Sequence, residues 1–318
     1  MKILVTGAAG FIGSWIADAL FDRGDEVVGL DDLSGGDLAN VSGAWRFVDG
    51  SILSVGARNL IEEFRPDMLV HCAANARESA SQFQPVDVTE RNYYGYMKIL
   101  EACLRTKSLQ KVVLFSSMSV YGKQPPPFSE ELDPQPEDIY ACNKTMMEWS
   151  TKILASVHDF RWTIVRPHNC FGPRQALFDR YRNVIGIFMN CILRGEPAWI
   201  FGDGEQQRAF SYIEDSLPAY LKCIDGCDGE IFNVGGIVPC TINESWDMVK
   251  SVMGVPAHPV NYLPWRPLEV KYAYCNQTKA IERLQYRDTI GLKDGIQIMA
   301  DWARRRGAQT WRYDEFPL

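Results

Sequence analysis

The chain has 318 residues, of which 46% are hydrophobic and 23% charged, and its 33 basic and 40 acidic side chains give a formal charge of −7. This composition excludes a disordered tail, a collagen-like repeat and a multi-span membrane protein. A general nucleic-acid binder carries a basic excess, and this chain does not.

In chain order, short apolar runs at Ile3–Thr6, Val27–Leu30, Trp45–Val48, Met68–His71, Val112–Ser116 and Trp162–Arg166 read as strands. Segments of helical period at about 11–23, 51–64, 86–105 and 138–157 alternate with them. The alternation predicts βαβ units on a parallel sheet. Continuous Val, Leu and Ile runs suit strands covered on both faces. The proline-rich run Lys123–Pro136 reads as a surface loop before the helix that carries Tyr140. After Arg166-Pro167 the rhythm breaks. A helix at 183–194, a strand at Ile231–Val234 and helices at 243–253, 277–285 and 293–305 follow.

The expected fold is a Rossmann-type, doubly wound parallel α/β sheet with a smaller mixed α/β C-terminal lobe. Residues 1–167 plus about 209–240 are assigned to the sheet domain, because 231–234 reads as a return to the sheet. About 168–208 plus 241–318 make the second lobe.

The nine cysteines are scattered through apolar stretches. In a chain of this size they read as reduced thiols, which makes the cytoplasm the expected compartment. Cys223 and Cys227 lie four apart on an expected helix without a paired His, so they read as packing and no metal site is expected. No leader-like segment stands before the first strand, and no apolar run approaches the ~18 residues of a membrane span.

The first strand runs into Thr6-Gly7-Ala8-Ala9-Gly10-Phe11-Ile12-Gly13. Gly7, Gly10 and Gly13 let the chain turn tightly, approach a pyrophosphate and pack a helix on the strand. The helix from Phe11 then offers free N–H groups and its positive end to phosphate. Asp31 ends the second strand, where an acid accepts both hydroxyls of an adenosine ribose and repels a 2′-phosphate. The expected cofactor is therefore NAD and not NADP.

Ser116-Ser117-Met118-Ser119-Val120-Tyr121-Gly122 follows the fifth strand, and Tyr140-Ala141-Cys142-Asn143-Lys144 opens the next helix. Tyr140 and Lys144, four apart, share a helical face. An ammonium beside a phenol favours the phenolate, so Tyr140 reads as a general base, Lys144 as its partner and a strand-end serine as the group that positions the substrate oxygen.

Together these segments resemble the extended short-chain dehydrogenase/reductases of the NAD-dependent sugar-nucleotide epimerase/dehydratase family. The likeness also takes in His71-Cys72-Ala73-Ala74, Ser81, Pro85, Asn92, Arg166–Pro173, Gly202–Ser216, Asn233–Gly236 and Arg266–Val270. The resemblance implies Tyr140, Lys144 and Ser117 as catalytic residues. It implies Gly7, Gly10, Phe11, Ile12, Gly13, Asp31, Ser51, Ile52, Ala73, Ala74 and Asn92 at the cofactor, with Tyr140 and Lys144. Ser117, Tyr121, Asn169, Arg208, Arg266 and Ala273 are implied at the substrate, with Asn169 and the arginines on its diphosphate. His71 and His168 occupy structural positions.

Two departures from the family pattern stand out. Ser51 occupies a position where an acid often contacts adenine. Met118-Ser119 replaces the Asp-Glu pair of members that remove water, so elimination lacks its usual proton donor. The implied activity is C4 epimerisation of a nucleotide-diphosphate sugar, a UDP-hexose or UDP-N-acetylhexosamine, through a 4-keto intermediate. The alternatives are an NDP-sugar dehydratase or other sugar-nucleotide oxidoreductase, and a non-catalytic NAD-sensing module. The small Ala273 leaves room for an N-acetyl group, and the family habit implies a homodimer through helices at about 86–105 and 138–157.

Overall fold

A computed structural model describes residues 1–312. Its centre is a seven-stranded sheet built from β1 (Lys2–Thr6), β2 (Glu26–Asp31), β3 (Arg46–Asp49), β4 (Met68–His71), β5 (Lys111–Phe115), β6 (Arg161–His168) and a late strand, Glu230–Gly235. All neighbours pair in parallel, in the order β3-β2-β1-β4-β5-β6 and then the late strand. The order reverses between β1 and β4, where Thr6 stands opposite His71. Crevices for nucleotides open at such a switch point, beyond the carboxyl ends of the strands.

Crossover helices cover both faces: α1 (Phe11–Asp22), α2 (Val55–Phe64), α3 (Pro85–Thr89), α4 (Gly95–Thr106) and α5 (Ile139–His158). Ile16, Ala17 and Leu20 of α1 face the sheet at helical spacing. The helix expected from residue 51 begins only at Val55. Ser51 makes a tight turn by accepting the Leu53 N–H, and Ser54 caps α2 through the Ala57 N–H at 3.1 Å. The segment expected as one helix over 86–105 carries a π-helical turn at Glu90–Tyr94 between α3 and α4. Asp138 caps α5 by accepting the Ala141 N–H at 2.7 Å, which fixes where Tyr140 and Lys144 start their helix.

Beyond β6 the remaining elements are β7 (Cys170–Phe171), α6 (Val184–Arg194), β8 (Ala198–Phe201), β9 (Gln207–Ala209), β10 (Ser211–Tyr212), α7 (Ile213–Asp225) and β11, the late strand. They continue with β12 (Pro239–Thr241), α8 (Ile242–Met253), β13 (Val260–Leu263), β14 (Tyr272–Ala273), α9 (Thr278–Leu284) and α10 (Leu292–Arg306). The short strands make three small sheets, β7-β10, β8-β13 and β12-β9-β14. Apart from β8, whose four apolar residues the sequence reading passes over, none has an apolar run long enough to mark a strand in sequence. β11 does return to the main sheet against β6.

The loop at Lys123–Pro136 lies at the surface but is pinned. Phe128 is buried, stacks on Tyr121 with centroids 4.9 Å apart, and exchanges backbone hydrogen bonds with Tyr274 and Asn276. Cys227 lies past the end of α7, not on it, and has a positive φ. All nine cysteines are unpaired. Among the described residues no cluster of ligating side chains is arranged for a metal, and no helix is long and apolar enough to cross a membrane.

Candidate active site

Two connected chambers lie beyond the carboxyl ends of the strands. The first runs from β2 across β1 to β5 and α5. Gly7, Gly10, Phe11, Ile12, Gly13, Asp31, Ser51, Ile52, Ala73 and Ala74 all border it. A Cβ on Gly7, whose φ is +73°, would stand 2.6 Å from the Ala73 nitrogen, and one on Gly13 would stand 2.1 Å from the Gly7 carbonyl oxygen. Backbone therefore fills the space a side chain would need, and the start of α1, without a side-chain cap, is left open to a ligand. The Asp31 carboxylate accepts the Ala9 N–H at 3.0 Å and the Leu33 N–H at 2.8 Å, and burial pushes its pKa up. These features fit a dinucleotide: a bare helix start for its phosphates and a fixed acid for its ribose.

Asn92 does not border this chamber. It is buried in the π-helical turn and brackets Asn75 instead. Its Oδ1 accepts the Asn75 N–H at 2.7 Å, and its Nδ2 donates to the Asn75 carbonyl at 3.1 Å. Asn75 itself lines the chamber, so Asn92 reaches a cofactor only through that neighbour.

Ser117, Tyr140 and Lys144 come together at the inner end. Lys144 Nζ donates to the Phe115 carbonyl at 2.7 Å and lies 5.7 Å from the Tyr140 ring centroid. Burial lowers the Lys144 pKa to about 8. Burial also raises the Tyr140 phenol, with Glu78 adding to the rise, while the Ser117 hydroxyl and Arg182 oppose it. The Ser117 oxygen accepts from Ser119 N at 3.1 Å and from the Ser119 hydroxyl at 2.9 Å, which fixes its direction. Ser116 points elsewhere and donates to Glu148 at 2.5 Å.

Tyr121, expected beside the nicotinamide and the sugar, borders neither chamber. It is fully buried. Its hydroxyl receives Arg166 Nη1 at 2.7 Å and donates to Asn233 Oδ1 at 2.8 Å. His168 joins the same network through Asn233, and His71 pairs with the Thr6 hydroxyl at 2.8 Å.

The second chamber opens on the short strands of the C-terminal segments. Ser117, Asn169, Arg208, Arg266 and Ala273 border it. Arg208 Nη2 meets Glu269 Oε1 at 2.9 Å and Arg266 Nη2 meets Glu269 Oε2 at 2.7 Å, so one carboxylate spaces two guanidiniums. The register of β9 with β14 sets Arg208 opposite Ala273. Among the charged residues here that sequence reasoning passed over are Glu78 and Arg182. Glu78 is exposed to the chamber, and desolvation at the chamber wall, with Asp138 nearby, raises its carboxyl to about 7. The signal for Glu78 was the charged pair Arg77-Glu78 amid the small residues of Ala73–Ala80.

A doubly wound sheet with a glycine cradle, a buried acid at the end of β2 and a Ser, Tyr and Lys group beside it defines a dinucleotide-dependent enzyme of the short-chain dehydrogenase/reductase type. The sequence profile of the NAD dependent epimerase/dehydratase family matches residues 3–235, and the chain belongs to that family. It is 32% identical over 314 residues to the UDP-glucose 4-epimerase of Mycolicibacterium smegmatis, covering 96% of this chain and 99% of that one. It superposes with a TM-score of 0.91 at 31% identity on the UDP-glucose 4-epimerase of Thermotoga maritima, solved with UDP-glucose, covering 96% and 99% of the two chains. A TM-score of 0.86 at 30% identity relates it to the UDP-glucuronic acid 4-epimerase of Bacillus cereus, solved with UDP-glucuronic acid and NAD, covering 96% and 100%.

Proposed function

We propose that the chain inverts C4 of a nucleotide-diphosphate sugar, a UDP-hexose or UDP-N-acetylhexosamine, through a 4-keto intermediate. The observation that carries this reading is the meeting of the two chambers at Ser117, with Tyr140 and Lys144 behind it. NAD, when bound, supplies a reversible acceptor for the C4 hydride. Its adenosine end falls to Asp31, Ser51 and Ile52, and its phosphates to the start of α1.

Tyr140 takes the proton of the 4-hydroxyl and later returns it. Lys144, anchored on the Phe115 carbonyl, keeps positive charge near the phenol and favours its ionised form. Ser117 holds the sugar oxygen within reach. Arg208 and Arg266 grip the substrate diphosphate from the far wall, with Asn169 beside them. Held only at that end, the keto sugar is free to turn its other face before hydride returns. Met118 and Ser119 place no carboxyl at the position from which related enzymes remove water, which favours epimerisation over dehydration. Ala273 leaves the chamber wide enough for an N-acetyl group.

The same reading treats residues 1–167 plus about 209–240 as the NAD-binding part and the rest as the sugar-nucleotide lobe. It makes the protein a homodimer through the helices at about 86–105 and 138–157, supported by exposed Met146, Trp149, Ile153 and Val157 on one face of α5. Nine unpaired cysteines support a reducing compartment such as the cytoplasm.

Incubation of the purified protein with a panel of UDP-, GDP-, CDP- and dTDP-sugars, with products resolved by NMR, tests the reading. The expected product is the C4 epimer at equilibrium with its substrate. A Tyr140→Phe variant should retain NAD and lose roughly 10²–10⁴ in kcat. Accumulation of a stable 4-keto-6-deoxy sugar, or undiminished turnover by Y140F, would overturn it.

A further inference from the structure

Among the described residues, four cations border the first chamber: Arg77, Arg91, Lys144 and Arg182. Three are firmly engaged by the protein. Arg77 Nε donates to Asp179 at 2.9 Å, Arg91 pairs with Asp87 at 2.7 Å and with Asp32 at 3.5 Å, and Lys144 is anchored on the Phe115 carbonyl. Arg182 is held more loosely. Among the described residues its ionic partner is Asp179, at 3.5 Å, and its Nε is buried without a hydrogen bond. Its backbone, by contrast, is fixed. Asn183, next in the chain, caps α6 by accepting the Ile185 N–H at 3.1 Å and donates to the Cys170 carbonyl at 3.2 Å. From there the guanidinium reaches the loop after β2, where a Cβ on Gly35 would stand 3.1 Å from Arg182 Nη2. A Cβ on the adjoining Gly36 would stand 3.0 Å from the Asp31 carboxylate. At the inner end, burial dominates the pKa values of Tyr140 and Lys144, and the Arg182 charge acts on both as a smaller influence.

Arg182 therefore stands between the two ends of the cofactor site, with Asp31 to one side and Tyr140 and Lys144 to the other. A dinucleotide spanning those ends has its diphosphate in the middle, at the start of α1. That start offers backbone N–H groups, and its first turn carries no charged side chain. N–H groups leave the phosphates their negative charge, and a guanidinium fork matches paired phosphate oxygens. We propose that Arg182 clamps the diphosphate of bound NAD, so that the segment before α6 supplies the charge that the glycine cradle lacks. The inference rests on the assignment of the cofactor phosphates to the start of α1. It makes Arg182 a cofactor-binding residue with no part in proton transfer. A hydride acceptor that is reduced and reoxidised within one turnover must stay in place between the two transfers, and the clamp serves that need. The rival ligand is the substrate diphosphate, because Arg182 also borders the second chamber; Arg208 and Arg266 already stand there for that group.

Displacement of bound NADH, read by its fluorescence with UDP filling the second chamber, separates these roles. ADP carries the diphosphate, and adenosine keeps the base and ribose without it. Arg182→Gln should weaken ADP about tenfold to a hundredfold, the range of one charge-assisted hydrogen bond, and leave adenosine unchanged. Arg182→Lys should recover part of the loss, because charge survives without the fork. NAD content of the purified holoenzyme, counted after denaturation, should fall in the order wild type, R182K, R182Q. Equal losses for ADP and adenosine would overturn the proposal, because Arg182 would then only brace the loop. So would an R182Q protein that binds ADP like wild type and, when loaded with NAD, binds UDP more weakly, since the cation would then belong to the substrate. Gly13→Ala keeps the underlying assignment separate. If G13A weakens ADP and R182Q does not, the phosphates lie at α1 and the clamp is refuted. If R182Q alone weakens ADP, the clamp stands and the α1 assignment falls.

Discussion

Arg166 and Glu148 meet as a two-pronged ion pair beneath the active site, Nε to Oε1 at 2.9 Å and Nη2 to Oε2 at 2.6 Å, with both partners buried. Glu148 lies one helical turn beyond Lys144, and Arg166 is on β6, so the pair bolts α5 to the sheet. It also takes the Ser116 hydroxyl, and Arg166 holds Tyr121. Removing one partner leaves a buried charge without its counterion. Glu148→Ala should lose about 3–5 kcal/mol of stability in denaturant unfolding, well beyond the loss from a surface acid. A change under ~1 kcal/mol would mean that water reaches Arg166.

Gly13 offers a test of the cofactor cradle. A methyl there meets the Gly7 carbonyl, which must shift, and with it the start of α1. Gly13→Ala should weaken NAD retention by roughly tenfold to a hundredfold, a strain of about 1–3 kcal/mol, in equilibrium dialysis. Retention equal to wild type would show that the cradle tolerates a side chain.

Two buried histidines set an acid limit. Burial lowers His168 to about 3 and His71 well below its usual 6.5. Both are held neutral in the folded chain and gain protons on unfolding. Their folded values are depressed, so stability is fully present above the unfolded value near 6.5. It drains as pH falls towards the folded values, by up to about 1.4 kcal/mol per pH unit for each. Urea unfolding at pH 7, 6 and 5 should show this slope, and His168→Gln should flatten it by about one proton. An unchanged slope in H168Q would assign the loss to other groups.

Most of the main sheet was legible because its strands are buried on both faces, so continuous apolar runs mark them. Gly7, Gly13, Tyr140 and Lys144 were legible because backbone crowding and a one-turn spacing leave a local signature. The lobe around Arg208 was harder, since β9 and β14 are three and two residues long and pair across some 60 positions of sequence. Tyr121 was misplaced for a related reason. Its partners Arg166 and Asn233 come from distant strands, and only the fold reveals that they claim its hydroxyl. Glu78 and Arg182 lie on irregular segments, where no period says which way a side chain faces.

Glu78 gives the substrate chamber its own pH dependence. With its carboxyl raised to about 7, it is largely neutral below that pH and ionised above it. Ionisation adds negative charge facing the site of a diphosphate and pushes the Tyr140 phenol further up. KM for the nucleotide sugar should therefore rise between about pH 6 and 8 in the wild type. Glu78→Gln should hold KM flat over that window and lower it about threefold to tenfold at pH 8. Parallel profiles for the two proteins would remove Glu78 from this role.

The outer face of α5 carries the test of assembly. Trp149, Ile153 and Val157 are 52%, 63% and 71% exposed and follow one another at intervals of four residues, with Met146 three residues before. Such a row loses apolar surface to water unless another surface covers it. Val86 and Tyr94 of the neighbouring helical stretch are exposed as well. A twofold pairing would let this face meet its own copy, each helix packing against the partner's along the row. Ile153→Glu places like charges opposite each other in such an interface but faces only solvent in a monomer. Light scattering after gel filtration should give a wild-type dimer and an I153E monomer, with the monomer's far-ultraviolet circular dichroism unchanged. A wild type that runs as a monomer at micromolar concentration, or an I153E protein that remains dimeric, would move the interface away from this face.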